Sequence, residues 1–256
     1  GGSGSARPAP GRASSTIARI LAALLGVVFV ILPWLAEITV GSPAQQERMS
    51  SYELAERFAR ASALAPWDAR YPTERGRVLL GVHFADPDPG QRASATAAAR
   101  AAFERAARLA PRDGEVQALL ARTMASQGAS ADSIRSGFDR AIALEPTNAN
   151  VLELVTQGWL EMGGIPEARA AALRCATLYP EFALPMADLG VMALMEGRPR
   201  AAADTLTLAL KRNWHGEEGA AMAAKSNYVA ALREMRLSDV LPGSSAPTPT
   251  RPTPTR

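Results

Sequence analysis

Two consecutive stretches, residues 149–180 (ANVLELVTQGWLEMGGIPEARAAALRCATLYP) and residues 183–214 (ALPMADLGVMALMEGRPRAAADTLTLALKRNW), decide the fold. In each stretch an apolar segment is followed by a glycine, by a second Ala- and Leu-rich segment, and by a closing Pro or Trp. A glycine between two helix-forming segments is typical of a tight turn. Each stretch therefore predicts two helices that are joined by a short turn.

The same pattern continues toward the N-terminus. Prolines recur at Pro66, Pro111, Pro146 and Pro180 after Ala-rich stretches, and the last interval is 34 residues. Because a single pair of antiparallel helices cannot bury its apolar face alone, such units stack on their neighbours and share a core. A repeat of this period predicts an all-α solenoid.

This spacing resembles the tetratricopeptide repeat (TPR), whose pattern is a Leu-Gly pair and an aromatic residue, then Ala, Phe, Ala and Pro at fixed offsets. Copies are expected at residues 69–111, 114–146, 149–180 and 183–214, with a half repeat at 50–66 and a capping helix at 217–235. The residues that carry the resemblance are Leu80, Gly81, Phe84, Phe103, Ala106, Pro111, Phe138, Ala141, Pro146, Trp159, Gly163, Ala168, Pro180, Leu189, Gly190, Gly197, Ala202 and Ala209. Extra residues around 86–90 predict a longer loop between the two helices of the copy 69–111. The resemblance is specific for the fold and not for a ligand.

An apolar segment precedes the repeats, at residues 17–40 (IARILAALLGVVFVILPWLAEITV). At ~1.5 Å per residue, the run from Ile20 to Ala36 nearly crosses a hydrocarbon layer of about 30 Å, and charged residues flank it. Residues 17–40 are therefore predicted to form a single transmembrane helix. It follows a flexible segment, residues 1–16, and precedes a linker, residues 41–49.

The charges around the apolar segment predict its orientation. Arg7, Arg12 and Arg19 precede the uncharged core of the segment. The positive-inside rule then predicts a cytoplasmic N-terminus and a repeat domain on the far side of the membrane. The Arg-rich, Lys-poor composition favours a bacterium, so the expected location is the inner membrane with periplasmic repeats. The alternative is a cleaved signal peptide with a small-residue site at residues 42–44, which the central Pro43 and the length of the apolar run disfavour.

The charge of the whole chain is +3, but the repeat region is close to neutral. Residues 50–240 hold 22 Lys and Arg against 23 Asp and Glu. No basic stripe with interleaved aromatic residues is present in the sequence, which argues against nucleic-acid binding. Residues 241–256 are rich in Pro and Thr and predict a disordered tail.

The sequence lacks the residue patterns that catalysis or metal binding requires. The histidines, His83 and His215, do not lie at a metal-ligand spacing from Cys175 or from a carboxylate cluster. There is neither a Gly-rich phosphate loop with Lys nor a Gly-x-Ser-x-Gly elbow. We therefore expect no enzyme activity, cofactor, metal or small-molecule substrate, and we expect Cys175 to be a buried apolar residue.

In TPR proteins the first helix of each repeat lines the inner, concave face, and the resemblance implies partner contacts there. The corresponding residues are Arg122, Glu153, Gln157, Leu160, Glu161, Leu184, Val191, Leu194 and Met195. A polar end and an apolar end would suit an amphipathic helix or an extended peptide. The alternative is that the capping helix covers the apolar end. The Lys/Asn carboxylate clamp of chaperone-binding members is missing from these positions, which disfavours a chaperone adaptor.

The predicted function is a non-catalytic, membrane-tethered scaffold or accessory subunit that binds proteins. It would assemble or stabilise a multi-protein membrane complex of the respiratory, photosynthetic, cytochrome-maturation or envelope type. The alternative is a periplasmic TPR module of a polysaccharide ligase or polymerase system, which residues 65–71 (APWDARY) vaguely resemble.

Overall fold

The computed structural model describes residues 19–23, 25–212, 214 and 218–240. The regular structure of these residues is helical, as predicted. The helices are α1 (Arg19–Val40), α2 (Pro43–Gln46), α3 (Ser51–Leu64), α4 (Arg70–Ala85), α5 (Pro89–Leu109), α6 (Gly114–Ser126), α7 (Ala131–Leu144), α8 (Ala149–Glu161), α9 (Ile165–Leu178), α10 (Leu184–Met195), α11 (Pro199–Leu210) and α12 (Glu218–Val240). The predicted flexible segment 1–16 and the predicted tail 241–256 lie outside the described residues.

Short polar side chains begin several of these helices. Ser50 Oγ accepts a hydrogen bond from the backbone N–H of Glu53 (3.2 Å) at the start of α3. Asp113 caps α6 and Asn148 caps α8 in the same way. Each cap satisfies an N–H group that the first helical turn leaves without an internal partner, and contributes about 1 kcal/mol.

The three helix pairs from α6 to α11 turn at equivalent glycines. Gly128, Gly163 and Gly197 have φ angles of 73°, 74° and 69°, a left-handed conformation. Glycine takes this conformation without the steric cost that a side chain would add. Gly128 therefore supplies the turn glycine for the copy 114–146, where the sequence pattern had not singled one out.

The chain forms two compact units, residues 1–112 and residues 113–256. In the first unit α1 packs on α3, α3 on α4, and α4 on α5. The close approach of α4 and α5 occurs at Gly76, where an added Cβ would lie 2.5 Å from the Phe103 ring. An added Cβ at Gly81 would meet open space. The tight helix contact is therefore at Gly76 and not at the Leu80-Gly81 pair.

Two further details of the first unit differ from the expectation. Phe84, assigned to the aromatic position of the repeat pattern, is 51% exposed, with its ring edge-on to His83. The extra residues of the copy 69–111 lengthen helix α5, which has 21 residues, and leave a short connection at 86–88. Asp88 caps this helix and Pro89 occupies its first turn, so the helix starts earlier than the loop prediction assumed.

Helix α1 is long and apolar enough to cross a membrane, judged by length and composition. It has 22 residues with a mean hydropathy of 2.4 in its most apolar window, and 6% of that window is buried against protein. Between Val27 and Ile31 the helix widens into a π-helical turn, where the N–H of Leu32 donates to the carbonyl oxygen of Val27. Pro33 has no N–H for the next regular helical bond, which explains why the irregularity falls here.

The second unit has a core built from its first and second helices together. Ile134, Phe138 and Val155 are fully buried, and the rings of Phe138 and Trp159 lie 5.5 Å apart. An added Cβ at Gly158 would lie 2.3 Å from the Phe138 ring, so α7 and α8 approach each other closely there. Helix α12 packs on α11 and α10 at the C-terminal end of the unit.

Candidate protein-binding surface

The first helices of the second unit, α6, α8 and α10, lie in sequence order, with α6 against α8 and α8 against α10. We define the first-helix face by the candidate residues of these three helices together with Asp188. It contains Arg122, Glu161, Glu153, Gln157, Asp188, Leu184, Val191 and Met195. The sequence named all of these residues except Asp188 as candidate partner contacts.

Arg122 of α6 and Glu161 of α8 form a forked ion pair between neighbouring first helices. Arg122 Nε lies 3.1 Å and 3.2 Å from the two carboxylate oxygens, and Arg122 Nη2 donates to Oε1. The two side chains are 14% and 30% exposed, so water screens the pair only in part. These two candidate residues therefore bind each other, and their ion pair fixes the relative position of α6 and α8.

Three polar side chains form a second group between α8 and α10. Gln157 Nε2 donates to Glu153 Oε1 at 2.8 Å. Burial, then the negative charge of Glu153 and a hydrogen bond with it, raise the pKa of Asp188 well above the ordinary carboxyl range. The raised pKa favours a protonated Asp188 carboxyl beside Glu153 at neutral pH. This group makes the middle of the first-helix face less negative than its residue types suggest.

The apolar end of the face is only partly open. Leu184 and Val191 are half-buried, while Met195 is 57% exposed. Leu194 packs in a cluster with Ala202 of α11 and Ala231 of α12. Leu194 is partly buried by this packing, and its role as a partner contact stays a prediction.

Leu160 also belongs to the protein interior. It packs against the central cluster that contains Phe138 and Trp159. The side chain lies at position twelve of its copy, where the family offset implied a partner contact. Leu160 is partly buried there, and a partner contact through its exposed part stays a prediction.

A cavity of about 510 Å³ opens at the first turn of α8. Ala149 and Asn150 line one side, and Tyr179 with Phe182 line the other. The Tyr179 hydroxyl donates to the carbonyl oxygen of Thr147, which holds this ring in place. The cavity has room for an apolar side chain of a bound peptide next to polar Asn150.

Cys175 and His83, two side chains that often take part in chemistry, occupy packed positions. Burial, together with the charges of Glu153 and Asp188, raises the pKa of the Cys175 thiol to about 12, so it stays protonated and unreactive. His83 Nδ1 lies 2.7 Å from Thr96 Oγ1, which is a packed position, and His215 lies outside the described residues. Within the described ranges no group of three or more His, Cys, Asp or Glu side chains could hold a metal ion.

A second polar group, which the sequence analysis did not find, joins α1 to the start of α4. Arg70 Nη2 and the Tyr71 hydroxyl both donate to Glu37 Oε1, the latter at 2.9 Å. Burial and the hydrogen bond to Glu37 raise the pKa of Tyr71 to about 12, so its hydroxyl remains a donor. The partners are 33 and 34 residues apart in sequence, so no local pattern could reveal them.

Apolar packing surrounds this polar group. Ala36 and Val40 of α1 are buried with Phe58 and Ala61 of α3, and Tyr71 completes the cluster. The last two turns of α1 thus pack on α3 as a first helix of a repeat packs on its second helix. The half repeat that the sequence predicted at 50–66 gains its missing helix from the apolar segment.

Comparison with known proteins identifies the fold. No protein-family model and no curated protein matches the sequence. The crystal structure of TTC0263, a thermophilic TPR protein in Thermus thermophilus, matches with a TM-score of 0.55 and 16% identity, covering 72% of this chain and 91% of that chain. MamA 41-end from Desulfovibrio magneticus RS-1 matches with a TM-score of 0.50 and 14% identity, covering 70% of this chain and 94% of that chain. At these identities the likeness concerns the fold, and the chain has an all-α, TPR-like solenoid fold with one apolar N-terminal helix.

Proposed function

We propose that the chain is a non-catalytic, membrane-tethered scaffold or accessory subunit that binds other proteins and assembles or stabilises a membrane complex. Helix α1 spans the membrane once, with its N-terminus in the cytoplasm. The repeats lie on the opposite side, which is the periplasm if the membrane is a bacterial inner membrane. The partners are protein subunits of that complex, and the complex is of the respiratory, photosynthetic, cytochrome-maturation or envelope type.

The observation that carries this proposal is the first-helix face. It combines hydrogen-bonded polar groups with an exposed Met195, and a cavity opens at the first turn of α8. An amphipathic helix or extended peptide requires such a combination of hydrogen-bonding groups and apolar contact area. The apolar, largely uncovered surface of α1 supports the tether, because a soluble helix of that composition would bury far more of its surface.

The first experiment is purification of the full-length chain from its native membranes in mild detergent, followed by mass spectrometry of the bound proteins. Stoichiometric companions are expected, and a chain that repeatedly purifies alone would count against a structural subunit. Extraction of the membranes at alkaline pH tests the tether in the same preparation. The chain is expected to stay in the membrane pellet.

A matched pair of variants tests whether the first-helix face makes the contact. Met195→Glu places a charge on the exposed end of the face and is expected to release the companions. Leu208→Glu is the control, because Leu208 is 50% exposed on the second helix α11 and Met195 is 57% exposed on the first helix α10. Equal recovery of companions with both variants would exclude this face as the main contact.

A further inference from the structure

The turn between α3 and α4, residues 65–69, lies against the apolar helix α1. The rings of Trp67 in the turn and Phe29 in α1 have their centres 5.6 Å apart. Both remain exposed, Trp67 at 42% and Phe29 at 63%. Two large rings that touch each other and still face outward form a continuous apolar surface, which water solvates poorly.

Polar groups lie above this aromatic pair, toward the C-terminal end of α1. Arg70 binds Glu37 and also approaches Asp68 at 3.4 Å. Glu37 lies eight residues after Phe29, which corresponds to about 12 Å along a helix axis. Phe29 therefore lies below Glu37 in the direction of the predicted membrane, and the Trp67 ring reaches Phe29 from its place next to Asp68.

This vertical order matches the chemistry of a bilayer boundary. Tryptophan is enriched where headgroups meet acyl chains, since its ring is apolar and its indole N–H can bind water or headgroup oxygens. Charged side chains are tolerated at the headgroup level and are costly in hydrocarbon. Segments that lie in the interface bury their apolar side about 5–10 Å deep, and the contact with Phe29 places the Trp67 ring against the apolar part of α1.

We propose that the Trp67 turn is a second membrane contact, which inserts into the lipid interface of the leaflet where α1 ends. The occupant of this surface is lipid, because the exposed Trp67 ring contacts Phe29, an exposed side chain of the apolar helix α1. The inference rests on the proposed membrane span of α1. The inference adds to that proposal. A spanning helix gives one membrane contact, whereas an inserted Trp67 also brings the α3–α4 turn into contact with the bilayer.

The test uses full-length chains that each keep one tryptophan, with Phe at the other three positions. The chains are reconstituted into phosphatidylcholine vesicles whose lipids are brominated high on the acyl chain, and into vesicles of the same lipid without bromine. Bromine quenches only tryptophans that touch the acyl region. The Trp159-only chain gives the unquenched reference, because Trp159 is buried in the core of the second unit.

The Trp67-only chain is expected to lose fluorescence to an extent comparable with the Trp34-only chain. Quenching of Trp34 together with an unquenched Trp67 would overturn this inference and leave the span intact. If neither residue is quenched, the span itself is refuted and the inference falls with it. As a check that avoids changes in the core, Trp67→Phe in the otherwise unchanged protein is expected to reduce the bromine-dependent loss, and an unchanged loss would also overturn the inference.

Discussion

Gly158→Ala tests the packing that holds the first-helix face together. A Cβ at this position would lie 2.3 Å from Phe138 Cζ and 3.1 Å and 3.2 Å from the two Cε atoms. Carbon atoms in contact normally lie about 3.5–4.0 Å apart. The Phe138 ring is fully buried and stands beside Trp159, so it has little room to move.

The expected loss of stability follows from two opposing effects. Inserting a methyl group into a packed core costs about 1–3 kcal/mol. Replacing Gly by Ala inside a helix returns up to about 1 kcal/mol. The steric cost is larger, so the free energy of unfolding of the second unit is expected to fall by about 1–2 kcal/mol, and the urea midpoint by about 0.5–1 M.

Urea unfolding of the full-length chain in mild detergent, followed by far-UV circular dichroism, measures this change. Gly81→Ala is the matched control, because Gly81 also lies inside a helix but has open space where its Cβ would be. That variant is expected to gain about 0.5–1 kcal/mol. A Gly158→Ala protein as stable as the starting protein would refute the described packing of α7 on α8.

The second unit supports three more predictions. Because burial and Glu153 raise the pKa of Asp188, the folded state holds a proton that the unfolded state releases, so stability falls as pH rises above the ordinary carboxyl range. Asp188→Asn is expected to flatten the decline of the urea midpoint between pH about 5 and about 8, and an unchanged decline would contradict the raised pKa of Asp188. Cys175, fully buried, is expected to resist a thiol reagent in the folded chain and to react in urea, and rapid labelling of the folded chain would show that α9 is not packed as described. Arg122→Ala is expected to cost about 1–3 kcal/mol because it leaves a partly buried Glu161 without its fork partner. A double Arg122→Met, Glu161→Met variant is expected to recover much of that loss in the same melts, and no recovery would mean that the pair is not the cause.

The second helices of the repeats were the most predictable part of the fold. Phe103 and Phe138, taken from the TPR spacing, are buried, and so is Leu206 at the equivalent position. The packing around these side chains recurs with the period of the sequence. A pattern found in one copy therefore predicts the buried residues of the neighbouring copies. The all-α class followed from the same regularity.

The first helix of the copy 69–111 was less predictable. Its close contact lies between Gly76 and Phe103, as Gly190 contacts Leu206 in the copy 183–214, and the extra residues of this copy lie in the longer helix α5. The sequence match at Leu80-Gly81 therefore picked a glycine that lies after the one that makes the helix contact. Sequence offsets are informative only while the paired helices keep their usual lengths.

The sequence predicted which helices carry the residues of the candidate surface, but it did not predict which of these residues pair with each other. The family offset placed Arg122, Glu153 and Glu161 on first helices, where they lie. The fork between Arg122 and Glu161 joins residues 39 apart, so only the stacked repeats bring them together. Asp188 was missed because it lies between two of the inspected positions, although an acidic residue in the apolar run LPMADLGVMALM was a usable signal.

The docking of α1 on α3 has a consequence for the cleaved-signal alternative. A cut after residue 44 would remove Ala36 and Val40 together with the apolar segment, and Phe58 and Ala61 would lose the helix that covers them. The released fragment would begin with an unpaired amphipathic helix, and it would be prone to aggregation and to proteolysis at its new end. Removal of the apolar segment would thus also damage the first hydrophobic cluster of the repeats.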